Sequence, residues 1–116
     1  MPKTALEIAE SRTGQVCVVA LSGRIDSSNS GDLMSRLKSL ISSSEKYILV
    51  DLGSVLYLTS AAFRVLLVAT QEAERNGARF ALCSLTGQVR ELFEIGGLTD
   101  VFAIHPSRDD ALARLA

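Results

Sequence analysis

The chain predicts an α/β fold, a mixed β-sheet with helices packed mainly on one face. Short apolar runs alternate with longer segments of helical periodicity along its whole length. The first two runs are joined by the short polar turn Arg12-Thr13-Gly14, which suits an antiparallel hairpin, whereas every later strand is separated from the next by a helical pattern.

Taken in order, Ala5 to Ala9 and Val16 to Leu21 read as the hairpin strands. Ser27 to Ser30 offers several N-cap residues for a helix from about Ser30 to Ser43, in which Leu33, Leu37, Leu40 and Ile41 recur at helical spacing. Tyr47 to Asp51 is a buried strand by its Ile48-Leu49-Val50 run. The next helix, Ser60 to Asn76, ends on Asn76-Gly77, a C-terminal cap, with Arg75 well placed in the last turn. Arg79 to Ser84 is a strand, and a third helix runs from about Gly87 to Ile95 before Gly96-Gly97. A strand at Val101 to Ile104 and a last helix from Arg108 to Ala116 complete the chain.

Length and charge narrow the function. A chain of 116 residues suits a single domain spanning residues 1–116, one that buries roughly 65% of the surface exposed on unfolding. Lys and Arg number 12 against 13 Asp and Glu, and a net charge of −1 supplies no long-range pull toward phosphate backbones or anionic lipid. Neither nucleic acid nor a membrane is an expected partner. Met1 to Glu10 lacks the apolar core of a signal peptide, and no apolar run approaches the ~20 residues that span a bilayer. A cytoplasmic protein is expected.

No cofactor or metal is expected either. Cys17 and Cys83 each lie in an apolar run without a second ligand nearby, and read as buried thiols; a disulfide would require their strands to be neighbours. The single histidine, His105, precedes Pro106 with no partner at metal-binding spacing. The glycines at 53, 77, 87, 96 and 97 form neither a P-loop nor a G-x-G-x-x-G pattern. Asp51 has no companion carboxylate, histidine or nucleophile at a recognisable spacing, so a turn-stabilising role is favoured over a catalytic one.

The segment Tyr57-Leu58-Thr59-Ser60-Ala61-Ala62-Phe63-Arg64-Val65-Leu66 holds the candidate site, because an apolar strand passes into a helix there through two adjacent hydroxyls. A hydroxyl at a helix start can cap free backbone N–H groups. It can also accept a phosphate, whose charge of roughly −1.5 to −2 the N-terminal dipole favours. At about 100° per residue Ala62, Val65, Leu66, Ala69 and Ala73 form the core stripe, while Ser60, Phe63, Arg64 and Leu67 fall off it. Ser60 is therefore expected to point outward beside Phe63 and Leu67, as a protein-docking surface would. A purely local reading stands beside it: with Thr59 as N-cap, Leu58 and Phe63 occupy the positions of a hydrophobic staple. Asp26 ends a strand and can contact a partner or a kinase-bound nucleotide, though a turn carboxylate capping the helix that starts nearby is the favoured reading.

Several separated segments resemble one family. Val16-Cys17-Val18-Val19-Ala20-Leu21-Ser22-Gly23-Arg24-Ile25-Asp26, Tyr47-Ile48-Leu49-Val50-Asp51-Leu52, Val55-Leu56-Tyr57-Leu58, Asn76-Gly77-Ala78 and Leu92-Phe93-Glu94-Ile95-Gly96-Gly97-Leu98 are similar, in order and spacing, to the STAS family of sulfate transporters and anti-sigma-factor antagonists. The resemblance implies a single STAS-like domain. In the bacterial antagonists the junction usually reads Asp-Ser-Ser-Gly, and its first serine, matched by Ser60, is phosphorylated by a partner that is both serine kinase and anti-sigma factor. Carried over, it implies a switch and not an enzyme: the unphosphorylated chain binds the anti-sigma factor and frees a sigma factor, phosphorylation breaks the pairing, and a metal-dependent serine phosphatase resets it. Asp26, Thr59, Ser60, Phe63, Arg64 and Leu67 are the expected partner-binding residues. Here Thr59 stands in place of the usual Asp, Ala61 of the second Ser, Ala62 of the Gly and Arg64 of a small residue. An arginine at that place also occurs in scaffold-type members of stress-signalling complexes, so a constitutive, unphosphorylated adaptor is the alternative. A small enzyme or ligand-binding domain is a third class, for which no catalytic constellation appears.

Overall fold

A computed structural model describes residues 5–115. The elements run β1 (Glu7–Thr13), β2 (Val16–Ile25), α1 (Ser30–Ser42), β3 (Tyr47–Leu58), α2 (Ser60–Arg75), β4 (Arg79–Cys83), α3 (Gly87–Ile95), β5 (Ala103–His105) and α4 (Arg108–Leu115). The five strands form one sheet in sequential order, β1 antiparallel to β2 and the remaining pairs parallel. The expected mixed sheet is present.

Sequential strand order decides where the helices lie. Each parallel connection steps the same way across the sheet, and right-handed crossovers then place α1, α2 and α3 on one face. The large core cluster bears this out, joining Leu33, Leu37 and Ile41 of α1, Ala62, Leu66, Ala69 and Ala73 of α2, and Val89 and Phe93 of α3 to Val19, Leu21, Ile48 and Val50 of the sheet. Among the described residues the opposite face carries only α4, whose Ala111 and Leu115 cover Val16, Val18, Leu49, Ala81 and Cys83. Val16 and Val18 face α4 while Cys17 and Val19 face the three helices, the two-residue alternation of a strand covered on both sides.

Four strands differ from the sequence expectation by more than one residue. β2 runs on to Ile25, four residues past Leu21. β1 is Glu7–Thr13 and not Ala5–Ala9, because pairing with β2 is set by a tight turn at Gly14, whose φ of 60° suits a residue without Cβ. β3 continues seven residues past Asp51, with register slips against β2 between Ala20 and Ser22 and again between Gly23 and Arg24. β5 starts at Ala103, leaving Val101 exposed. The expected end of α4 at Ala116 lies outside the described residues.

The cysteines are buried and unpaired. They sit on β2 and β4, strands two spacings or about 10 Å apart, are offset along the strands, and face opposite sides of the sheet, which puts them beyond the ~7 Å limit of a disulfide.

Candidate functional site

The parallel pairing of β2 and β3 brings two chain segments to one edge of the molecule. Ile25 lies opposite Leu58, so the loop opening at Asp26 and the helix opening at Ser60 emerge side by side. Thr59 ties them. Its backbone N–H donates to the carbonyl of Ile25 at 3.0 Å, and its hydroxyl donates to the same oxygen at 3.3 Å. This corrects the expectation of a threonine cap: Thr59 occupies the N-cap position in an extended conformation, but its side chain bonds back to β2 and not forward to α2. The first turn is closed by backbone alone, the N–H groups of Ala62 and Phe63 donating to the Thr59 carbonyl at 3.0 and 3.2 Å. Among the described residues no protein acceptor reaches the N–H groups of Ser60 and Ala61.

Ser60 is exposed, as its helical position predicts. Phe63 and Leu67 are not outward neighbours. Both are half-buried against the large core cluster, and Phe63 meets Phe93 of α3 edge to face with ring centroids 4.9 Å apart. Phe93 in turn meets Phe102 at 5.6 Å. The helical wheel alone missed this because α3 rises beside the off-stripe flank of α2. Arg64 is exposed, and Ala62 is fully buried, so the methyl that replaces the usual glycine hydrogen is packed into the core.

Asp26 organises its own loop. Its Oδ1 accepts from the Ser28 hydroxyl at 2.6 Å and from the Ser28 N–H at 2.9 Å, and these bonds hold the carboxyl below its ordinary pKa. Its N–H donates to Asn29 Oδ1 at 2.9 Å, while Asn29 Nδ2 donates to the Arg24 carbonyl. Asn29, at the N-cap of α1, therefore seals the end of β2 and makes no side-chain cap. Asp26 thus stabilises the turn, but its carboxylate bonds to Ser28 and does not cap α1.

A flank that sequence pattern did not reveal lies just before the junction. The register slips in β3 leave Leu56 half exposed and set Tyr57 opposite Arg24, whose guanidinium carbon lies 5.1 Å from the ring centroid. Asp51 is committed elsewhere: Oδ1 accepts from the Gly53 N–H at 2.8 Å, and Oδ2 accepts from Arg108 Nε at 2.9 Å, fastening α4 to the sheet. No group of three or more His, Cys, Asp or Glu side chains with metal-binding geometry occurs among the described residues. Nor is any described helix long and apolar enough to cross a membrane.

Comparison with known proteins agrees with this geometry. Residues 7–111 match the family model described as STAS domain. BtrV of Bordetella bronchiseptica, which bears the name of an anti-sigma factor antagonist, is 32% identical over 96 residues, 83% of each chain. Among solved structures, an anti-sigma factor antagonist from Mycobacterium paratuberculosis superposes with a TM-score of 0.88 at 22% identity, covering 97% of this chain and 96% of its own. The Bacillus cell fate determinant SpoIIAA in its phosphorylated form gives 0.73 at 18% identity, covering 97% and 100%. These last two likenesses establish the shared fold, and together with the sequence match they lead to one conclusion: the chain belongs to the STAS domain family, in its anti-sigma-factor-antagonist type.

Proposed function

We propose that the protein is a phosphorylation-controlled binding module and not a catalyst. Its unphosphorylated surface around Ser60 engages an anti-sigma factor with serine kinase activity and so frees a sigma factor. Phosphorylation of Ser60 breaks that pairing, and a metal-dependent serine phosphatase restores it.

One observation carries the reading: Ser60 is exposed at the first position of a helix whose N-terminal N–H groups are left open because Thr59 spends its hydroxyl on β2. A phosphate added there gains from the helix dipole within the chain, yet places about two negative charges where a partner must pack. The cost of desolvating them on docking provides the switch. The name borne by BtrV and the phosphorylated state in which SpoIIAA was solved support it. The flank of Leu56, Tyr57 and Arg24 extends the docking surface beyond α2, with Leu56 as its apolar anchor.

Calorimetric titration against the serine kinase encoded nearest to this chain's gene tests the proposal. Ser60→Ala is expected to bind like the parent, and Ser60→Glu at least about tenfold more weakly, a difference of roughly 1.4 kcal/mol. Equal affinities for the two variants would leave the constitutive adaptor as the reading.

A further inference from the structure

Arg64 is exposed and, among the described residues, has no hydrogen bond and no ion pair. Arg24, Arg79, Arg90 and Arg114 likewise form no ion pair among the described residues, whereas Arg12, Arg36, Arg75 and Arg108 each reach a carboxylate. The surroundings of Arg64 on α2 explain its lack of a partner. Side chains three and four positions away on a helix are its surface neighbours, and for Arg64 these are Ser60, Ala61, Leu67 and Val68. None is charged, and Ser60 alone can become so.

Resting on the phosphorylation of Ser60 put forward above, we propose that Arg64 is the in-chain counterion of that phosphate. Three features of α2 favour the contact. Helical side chains lean toward the N-terminus, which carries a long arginine back over Ser60. An anion four residues before a cation is the better of the two orientations of such a pair. The guanidinium fork matches phosphate oxygens and has no carboxylate to leave first. The phosphate is thereby held from two sides, by the open N–H groups of Ser60 and Ala61 and by Arg64. The phosphorylated chain thus shows a partly neutralised, ordered anion, and Arg64 favours its dianionic form.

The test uses the full chain with phosphoserine installed at position 60 during translation, so that no kinase is required, and follows the phosphate by phosphorus NMR against pH. The second ionisation of an unperturbed phosphoserine lies near pH ~6. Arg64→Ala is expected to raise the value found in the parent by about 0.3 of a pH unit, the size of a helical pair at this spacing. Arg64→Lys should retain most of the parent value. Arg75→Ala removes the same charge at the far end of α2 and should change it by less than about 0.1. Equal values for the parent and Arg64→Ala would overturn the pairing, as would an equal rise in Arg75→Ala. Absence of phosphate at Ser60 in native cells counts against the switch; equal ionisation counts against the Arg64 contact alone.

Discussion

Truncating Phe63 separates its packing role from a docking role. The ring is half-buried against the core and meets Phe93, itself completely buried, edge to face at 4.9 Å. Full burial of a phenylalanine side chain contributes about 1.5–3 kcal/mol, so a ring that keeps only some exposure contributes about 1–2 kcal/mol. The edge-to-face pair adds about 0.5–1.5 kcal/mol. Phe63→Ala should therefore cost about 2 kcal/mol, and Phe63→Leu, which keeps most of the apolar contact but loses the ring pair, about 1 kcal/mol. With a urea dependence of about 2 kcal/mol per molar, the alanine variant should unfold near 1 M lower urea than the parent and the leucine variant near 0.5 M lower. Equilibrium unfolding followed by circular dichroism reads both. Midpoints within about 0.2 M of the parent would refute the packing argument and return Phe63 to the surface as a contact residue.

Three other outcomes follow from the same structure. Arg108→Ala should lower stability by about 0.5–1 kcal/mol, because its pair with Asp51 is only partly exposed, and the loss should shrink in 1 M salt; an equal loss at both salt levels would show that charge is not its source. Asp26 has a lowered pKa in the folded chain, so in acid the unfolded chain binds more protons; the stability this gives is present above the ordinary carboxyl value of 3.8 and is lost as pH falls through the folded one. Asp26→Asn should flatten that acid limb in an unfolding series below about pH 4, and an unchanged limb would refute the assignment. The thiols of Cys17 and Cys83 are pushed up in pKa, chiefly by burial, so both should resist a thiol reagent in the folded chain and react on unfolding; prompt labelling of the native protein would contradict their burial.

The fold was legible wherever one periodicity ran unbroken. α2 shows its core stripe in sequence, and Val65, Leu66, Ala69 and Ala73 are buried as that stripe requires. β3 is legible as Tyr47 to Asp51 and again as the apolar run that enters the junction at Tyr57 and Leu58, but not as one strand, because its register slips interrupt the alternation at Gly53 and Ser54 while pairing with β2 continues. β1 was misplaced because its last four residues, Glu10 to Thr13, are all exposed and carry no apolar signal; pairing with β2 alone holds them in the sheet. At the site, the outward position of Ser60 follows from helical geometry. The Thr59 hydroxyl reaching Ile25 and the Phe63 ring reaching Phe93 depend on segments 34 and 30 residues away, and local pattern has no access to such contacts. The Arg24–Tyr57 contact was hidden by the same slips that lengthened β3.

The most direct measurement of the switch is intact-mass and fragment mass spectrometry of the protein recovered from its native cells, with and without stress. The account predicts a single phosphate localised to Ser60 whose occupancy changes with condition. No phosphate at Ser60 under any condition, with established phosphosites of the same cells detected in parallel, would contradict it.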